Sequence, residues 1–530
     1  MAEWCLCARQ LTWSREYAVT SLVARTGVSP FGKLLLEYTP SRARGPLVPI
    51  LYPFPFFVEA AMTPRRQKNL RQLPSPEPLR LTHRHAAGID IHSNVHWVAV
   101  PPEDAPPPPA NHPANLPKQV RCFGTCTADL VTLADWLTQC GVKTIAMEST
   151  GIYWVVLFEL LESRGFEVYL VEPRQSRHAP GRPKSDVLDC QWLQRLHSYG
   201  LLTASFRPAE QVVVLRSYLR QRQMLIRYAG QHVQHMQKAL EQMNVKLPEV
   251  VNDVTGVTGM AIIQAILAGQ RDPLELAKLR NDKCQRTQAE IARALYGNWR
   301  AEHLFALKQA VALYTFYRQQ LQECDGQLQV YLGTFADQSK GQPCPRRPRR
   351  RTKSGNEPAF DLESALYHMA GVNLTVLEGI DPSTALVLLS EVGPDVSRFP
   401  TVKHFTSWLG LSPQHQSSAG KIRSRRVQRG ASRAGRALRL AVQGCYHAKH
   451  ALGAFYRRIQ ARAGAPKAVV ATARKLAERV YRLLKYGAEY VCQKIEAYEA
   501  AYKARLVKGL ARRAAELGYR LEPTTAATAT

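Results

Sequence analysis

Between residues 86 and 205 the chain switches repeatedly between a period of two and a period near 3.6. GIDIHSNVHWVAVPP, from Gly88 onward, alternates apolar and polar positions on both sides of Ser93 and Asn94, which predicts two strands joined by a tight turn. A proline-rich loop, PPEDAPPPPANHPANLP, interrupts the pattern before a third strand in QVRCFGTC. TADLVTLADWLTQCG reads as a capped helix, TIAMES as a short buried strand, IYWVVLFELLESRG as a helix and EVYLVEP as another strand. A basic loop, RQSRHAPGRPKS, leads into an acidic helix over residues 186–197. Three strands in a meander followed by alternating helix and strand predict a mixed α/β sheet.

Beyond residue 205 the pattern becomes helical. Val212, Leu215, Leu219, Arg222, Ile226, Ala229, Val233, Met236, Leu240 and Met243 follow alternating steps of three and four, a coiled-coil seam with one polar exception. Leu307, Ala310, Tyr314, Tyr317, Leu321, Cys324, Leu328 and Tyr331 form a second. The two helices can pair within one chain or across a dimer, and a seam this long calls for a partner helix, so a homo-oligomer is expected. Between them GVTGMAIIQAILAG predicts a buried helix hairpin. Residues 334–359 read as a basic linker around PRRPRRRTK, and a mainly α-helical C-terminal domain spans 360–510. Within it, the Gly379-Ile380-Asp381 turn in VLEGIDPSTALVLLSEVG suits either a helix-hairpin-helix, whose turn amides hold a backbone phosphate, or an ordinary helix–helix turn. Residues 1–85 lack periodicity and end in a basic, proline-punctuated arm. They are expected to be a disordered extension, with Met62 as a candidate true start, and residues 511–530 a tail. The domains are therefore placed at 86–205, 206–333 and 360–510.

Charge changes the picture more than composition does. Lys plus Arg number 71 against 42 Asp plus Glu, for a net charge of +29 over 530 residues, which points to nucleic acid as the partner. No stretch of 18 or more apolar residues is present, so no membrane span is expected. The 11 cysteines show no zinc-site pairing, which suits reduced thiols in a cytoplasm. Against this basic background four acids stand out. Asp186 and Asp189 are three apart at a helix start, hence about 60° apart on one face, and Asp90 and Glu148 end strand-like runs. Brought to one point they would hold two divalent cations, Mg²⁺ or Mn²⁺. Asp186 and Asp189 also suit a plainer role, complementing a helix N-terminus behind a Ser185 cap. The order of elements, with one acid on the first strand, one on a neighbouring strand and two on a late helix, is that of ribonuclease H and RuvC-like nucleases. In the C-terminal domain Ser417 and Ser418 lie in a loop bounded by Pro413 and Gly420, followed by Lys421, Arg423, Arg425, Arg426 and Arg429.

GIDIHS, AMESTGIYW and KSDVLDCQWLQRL, followed by GLSPQHQSSAGK and QRGASRAGRALR, resemble the DEDD-type insertion-sequence transposases of the one-ten family, and the double-serine loop resembles its eleven-eleven subgroup. The resemblance covers residues 86–500. It implies a RuvC-like domain with a DEDD metal site at Asp90, Glu148, Asp186 and Asp189, a coiled-coil middle, and a catalytic serine in the C-terminal domain. It also implies DNA recombination guided by a structured RNA from the element, in a bacterial cytoplasm at the nucleoid. The family serine precedes a glycine five residues after a proline. Counting from Pro413 gives Ser418, but Ala419 intervenes before Gly420, which leaves Ser417 as the alternative. Two other functions fit the same residues: a water-using nuclease of the Holliday-junction type, and a non-catalytic nucleic-acid-binding protein.

Overall fold

The computed structural model describes residues 80–522 apart from 111, 177–183, 347–355, 415, 419–420, 425 and 428–431. Residues 1–79, which hold most of the expected extension, lie outside the described residues, as do residues 523–530.

The α/β unit forms as its periodicity demands. Strand β1 (Ala86–Ile91) turns back into β2 (Val95–Ala99), which pairs with β3 (Val120–Gly124). Helix α1 (Thr127–Gln139) returns the chain to β4 (Thr144–Glu148), and α2 (Trp154–Ser163) to β5 (Glu167–Val171). The sheet order is β3-β2-β1-β4-β5, antiparallel from β3 to β1 and parallel from β1 to β5. Alternation divides the sheet by face. Ile89, Ile91, Ile145 and Met147 pack under Leu133 and Leu137 of α1 and Leu157 and Leu161 of α2. The other face of β1 receives helix α3 (Asp186–Ser198), which is capped by Ser185 accepting from the Leu188 amide. That packing is close: a Cβ on Gly88 would lie 2.2 Å from the Gln194 amide nitrogen and 2.5 Å from the Cys190 carbonyl oxygen.

At the far end of α3 the imidazole of His197 is fully buried, stacked on His83 (4.7 Å between ring centres) beside Tyr169, with Nε2 2.9 Å from the Thr144 hydroxyl. Burial, with the neighbouring His83 adding to it, pushes its pKa down from 6.5 to about 4. The unfolded chain therefore takes up the proton first as pH falls. His197 contributes stability that is complete above pH 6.5 and lost between 6.5 and about 4, in all about 3 kcal/mol. His197→Phe, which keeps a ring in the stack, is expected to flatten that part of the stability–pH curve, as read by thermal or urea unfolding at pH 7 and pH 5.

Helix α4 (Glu210–Gln242) carries the first heptad seam, and a helix over residues 301–332 carries the second. Between them run α5 (Leu247–Val250), α6 (Val257–Leu267), α7 (Pro273–Lys278) and α8 (Gln288–Ala294), followed by α9 (Ala301–Leu332). The expected helix hairpin at residues 256–269 is one helix, α6. Its Gly259 lies where a Cβ would meet the Val254 carbonyl at 2.2 Å, so the glycine marks a close approach and not a turn. The seams close on each other within one chain: Tyr228 and His232 of α4 meet Tyr317 of α9. The two seams are thus paired within the chain. Their phase also shifts, since Leu225 is buried where the heptad names Ile226. The polar exception, Arg222, is 5% exposed and forms a forked pair with Asp325 (Nη2 to Oδ2, 3.1 Å) while donating to the Asn356 carbonyl at 2.8 Å. A buried pair of this kind fixes register, because a slip would leave two charges unpaired.

At one end of this helix pair Met236, Leu240 and Leu307 join the core of α5–α8; at the other, Val212, Leu215, Leu219, Leu328 and Leu332 join the C-terminal core. The first part of the expected linker is attached to that core. Gln338 donates its amide to the His368 carbonyl (2.7 Å), and Asn373 donates to Pro345 (2.8 Å).

The C-terminal part contains α10 (Leu362–Ala370), α11 (Pro382–Val392) and α12 (Val402–Trp408). It continues through a hairpin of β6 (Gln416–Ser418) and β7 (Lys421–Ser424) into α13 (Arg433–Ala441), α14 (Ala451–Ala463) and α15 (Ala465–Glu516), the last kinked at Gly487. The Gly379 turn precedes α11, whose N-cap Asp381 accepts from the Thr384 amide. A single 3₁₀ turn, Leu374–Val376, stands in front of it in place of the first helix of a helix-hairpin-helix. The double-serine stretch, expected as a loop, is strand β6. Among the described residues no helix is long and apolar enough to cross a membrane.

Candidate active site

Sheet register places the first two acids. Ile89 of β1 lies opposite Met147 of parallel β4, so continuing the register sets Asp90 opposite Glu148. Both are at the carboxyl ends of their strands, where α/β sheets bind ligands, and on the face that α3 covers. Because α3 rests directly on Gly88, its first turn carries Asp186 and Asp189 over β1. The Asp90 side chain is 13% exposed and that of Asp186 48%. Burial raises the Asp90 pKa above its ordinary value; His92 opposes that, and the charges of Glu148 and Asp189 add to it. Glu148 and Asp189 are thus within electrostatic reach of Asp90.

His92 was not among the sequence candidates. Its Nε2 lies 3.1 Å from Asp90 Oδ2 and 3.5 Å from Asp186 Oδ1, so it bridges strand and helix. Its signal was available: His92 follows Asp90 by two, and a period of two places both on one face. Asp90, His92 and Asp186 each present a ligand atom within 4.8 Å of the others. Two carboxylates and an imidazole, with further acids adjacent, suit a hard divalent cation, Mn²⁺ accepting the nitrogen donor more readily than Mg²⁺. The buried, like-charged surroundings of Asp90 are the environment that a cation would relieve. One buried thiol lies close by, Cys190, pushed up by burial and by Asp90 and Asp189; Cys140, raised to about 11 mainly by burial, lies in the core under α1 and α2. Neither is ionised near neutrality.

Ser418 belongs to the β6–β7 hairpin of the C-terminal part. It ends β6 and is exposed, and among the described residues it makes no hydrogen bond to any of the four. Its register partner is Lys421, whereas that of Ser417 is Ile422. Arg423 and Arg426 on the same hairpin are exposed.

Residues 87–245 match a family model described as a transposase, the DEDD transposase of IS110, and residues 371–457 match one described as the transposase IS116/IS110/IS902 family. Two stretches of the chain thus match models of IS110-family transposases. It is also 34% identical over 119 residues to the insertion element IS110 uncharacterized 43.6 kDa protein of Streptomyces coelicolor. That match takes in 22% of this chain and spans 29% of the length of the relative. The first transposase domain contains Asp90, Glu148, Asp186 and Asp189, and the second contains Ser418. Residues 1–86 lie ahead of both, and the α6–α9 region lies between them.

Proposed function

We propose that this chain is the DNA transposase of an insertion sequence, and that it cuts and rejoins DNA with a metal site and a serine nucleophile. The observation that supports it most is that all four acids around Asp90 fall inside one matched transposase domain while Ser418 falls inside the other. The α/β unit acts as a RuvC-like DEDD domain, its strand order β3-β2-β1-β4-β5 agreeing with that assignment. Asp90, Glu148, Asp186 and Asp189, with His92 beside them, hold Mg²⁺ or Mn²⁺, which supplies Lewis-acid stabilisation of a phosphate in displacement.

The Ser418 hydroxyl attacks the scissile phosphorus; the P–O bond to one sugar breaks, and that sugar oxygen leaves with a proton. The phosphoserine ester conserves the bond energy, and attack by another strand's hydroxyl returns the serine and reseals the backbone. Arg423 and Arg426 on the same hairpin, both exposed, offer cationic partners for the phosphates. For this chemistry the hairpin docks on the acids, from the same chain or from another copy in a homo-oligomer. The double serine supports the eleven-eleven subgroup, the target is set by a structured RNA from the element, and the net charge of +29 suits DNA and RNA together. The site of action is the bacterial cytoplasm, at the nucleoid.

Trapping tests the serine. Wild-type protein is expected to leave DNA covalently attached through Ser418, Ser418→Ala to abolish the adduct and strand exchange, and Ser417→Ala to retain both. An adduct formed by Ser418→Ala at wild-type level would refute the assignment.

A further inference from the structure

Ser176 lies on the loop after β5, outside every motif that the sequence presents. It is 6% exposed, and its hydroxyl donates to Glu148 Oε1. A second acceptor, the Pro173 carbonyl, is farther away at 3.2 Å. The Ser176 backbone is held in turn. Trp192 of α3 donates its indole N–H to the Ser176 carbonyl at 3.0 Å. The preceding residue, Gln175, exchanges two hydrogen bonds with the Thr203 backbone, at 3.1 and 2.9 Å, and closes a turn onto Glu172. With its backbone held in this way, the hydroxyl is presented to Glu148 at closer range than to the Pro173 carbonyl.

We infer that Ser176 is a positioning residue that sets the orientation of the Glu148 carboxylate, and that α3 controls it through Trp192. The inference rests on the reading of Glu148 as a cation ligand. A carboxylate at a strand end has two torsions beyond its Cβ, and a hydrogen bond to one oxygen leaves the other aimed outward at the site. Trp192 is three residues beyond Asp189 on α3, so the helix that supplies two acids also holds the group that aims a third. The sites on β4 and α3 are then assembled together, and a displaced α3 would disorient Glu148 as well as remove Asp186 and Asp189. Partners of this kind, which touch the ligand and not the metal, typically change metal affinity by 10- to 100-fold.

The test uses full-length protein and Mn²⁺ alone, with binding read from the electron paramagnetic resonance of free Mn²⁺ and unfolding followed in chelator. Ser176→Ala is expected to weaken Mn²⁺ binding about tenfold or more while its unfolding temperature in chelator stays near that of wild type. Ser176→Thr, which restores the hydroxyl, is expected to recover binding. Trp192→Phe, which keeps the ring and loses the donor, is expected to weaken binding by a smaller factor. A protein changed only in packing would unfold earlier in chelator and bind Mn²⁺ normally where folded. If Glu148→Ala loses Mn²⁺ and Ser176→Ala and Trp192→Phe do not, the positioning role is overturned and the metal site stands. If Glu148→Ala and Asp90→Ala both bind Mn²⁺ as wild type does, the metal site itself falls, and this inference with it.

Discussion

Asp90→Asn is expected to abolish DNA cleavage and, without divalent cations, to make the protein more stable. The loss of activity should be roughly 1,000-fold or more, the scale on which removal of one group that stabilises transition-state charge is felt. The gain in stability follows from proton linkage. Burial holds the Asp90 carboxyl above its ordinary value of 3.8; His92 opposes this, and Glu148 and Asp189 reinforce it. As pH rises from below 3.8, the unfolded chain releases this proton first and the folded protein keeps it. Stability therefore falls with pH through the window from 3.8 up to the raised value, and the penalty persists above it. Asparagine removes the charge and with it the pH-dependent loss. Because a cation competes with the proton, the stabilisation of wild type by Mn²⁺ should grow over the same window and vanish in Asp90→Asn. Thermal unfolding with and without Mn²⁺ between pH 4 and 7, beside a cleavage assay, checks both halves. A variant that cleaves normally, or that is less stable than wild type in chelator, would remove Asp90 from the site.

Gly88→Ala is expected to be the more damaging substitution for the fold, although alanine is the smallest change available. The added methyl would sit 2.2 Å from one backbone atom of α3 and 2.5 Å from another, neither of which can swing aside as a side chain can. Helix α3 must lift from β1, at a cost of about 3 kcal/mol or more, at or above the upper end of what overpacking exacts. The lifted helix carries Asp186, Asp189 and Trp192 with it, so loss of Mn²⁺-induced stabilisation should accompany the drop in unfolding temperature. An alanine variant with wild-type stability and wild-type Mn²⁺ response would show that α3 does not depend on this contact.

These two residues also mark what was legible in the chain. The β1–β2 turn at Ser93 and Asn94, the buried strand at β4 and the acids at the strand ends follow from alternation over short, well-punctuated runs. Gly88, Asp90 and His92 share one parity, so the same alternation implied that glycine, acid and histidine face one neighbour; only the acid attracted attention, because it carries obvious chemistry. Ser176 left no trace, since a loop has no period and its role depends on a tryptophan 16 residues later in sequence. The seam of α4 was visible, but its phase was not: a straight helix drifts against a strict heptad, and burial passes to Leu225 beside Ile226. The β6–β7 hairpin was masked by its small residues, whose serines, alanine and glycine read as loop when no alternating apolar run flanks them. Ser418 drew attention as chemistry only through family resemblance, because an exposed serine beside basic residues has no physical signature of a nucleophile.

The paired helices α4 and α9 have a mechanical consequence. With 33 residues in α4, the pair runs about 50 Å at 1.5 Å per residue, with a hydrophobic core closing on each end. The Arg222–Asp325 fork lies between those ends and forbids the two helices to slide. Bending is resisted by side chains along the seam, so the pair acts as a lever with its fulcrum in the C-terminal core. A tilt of about 10° at that fulcrum would carry the α5–α8 end through roughly 8 Å, larger than the 5.4 Å pitch of a helical turn. On the C-terminal side the pair is tied to α11, where Arg216 of α4 donates to the carbonyls of Ser390 and Glu391.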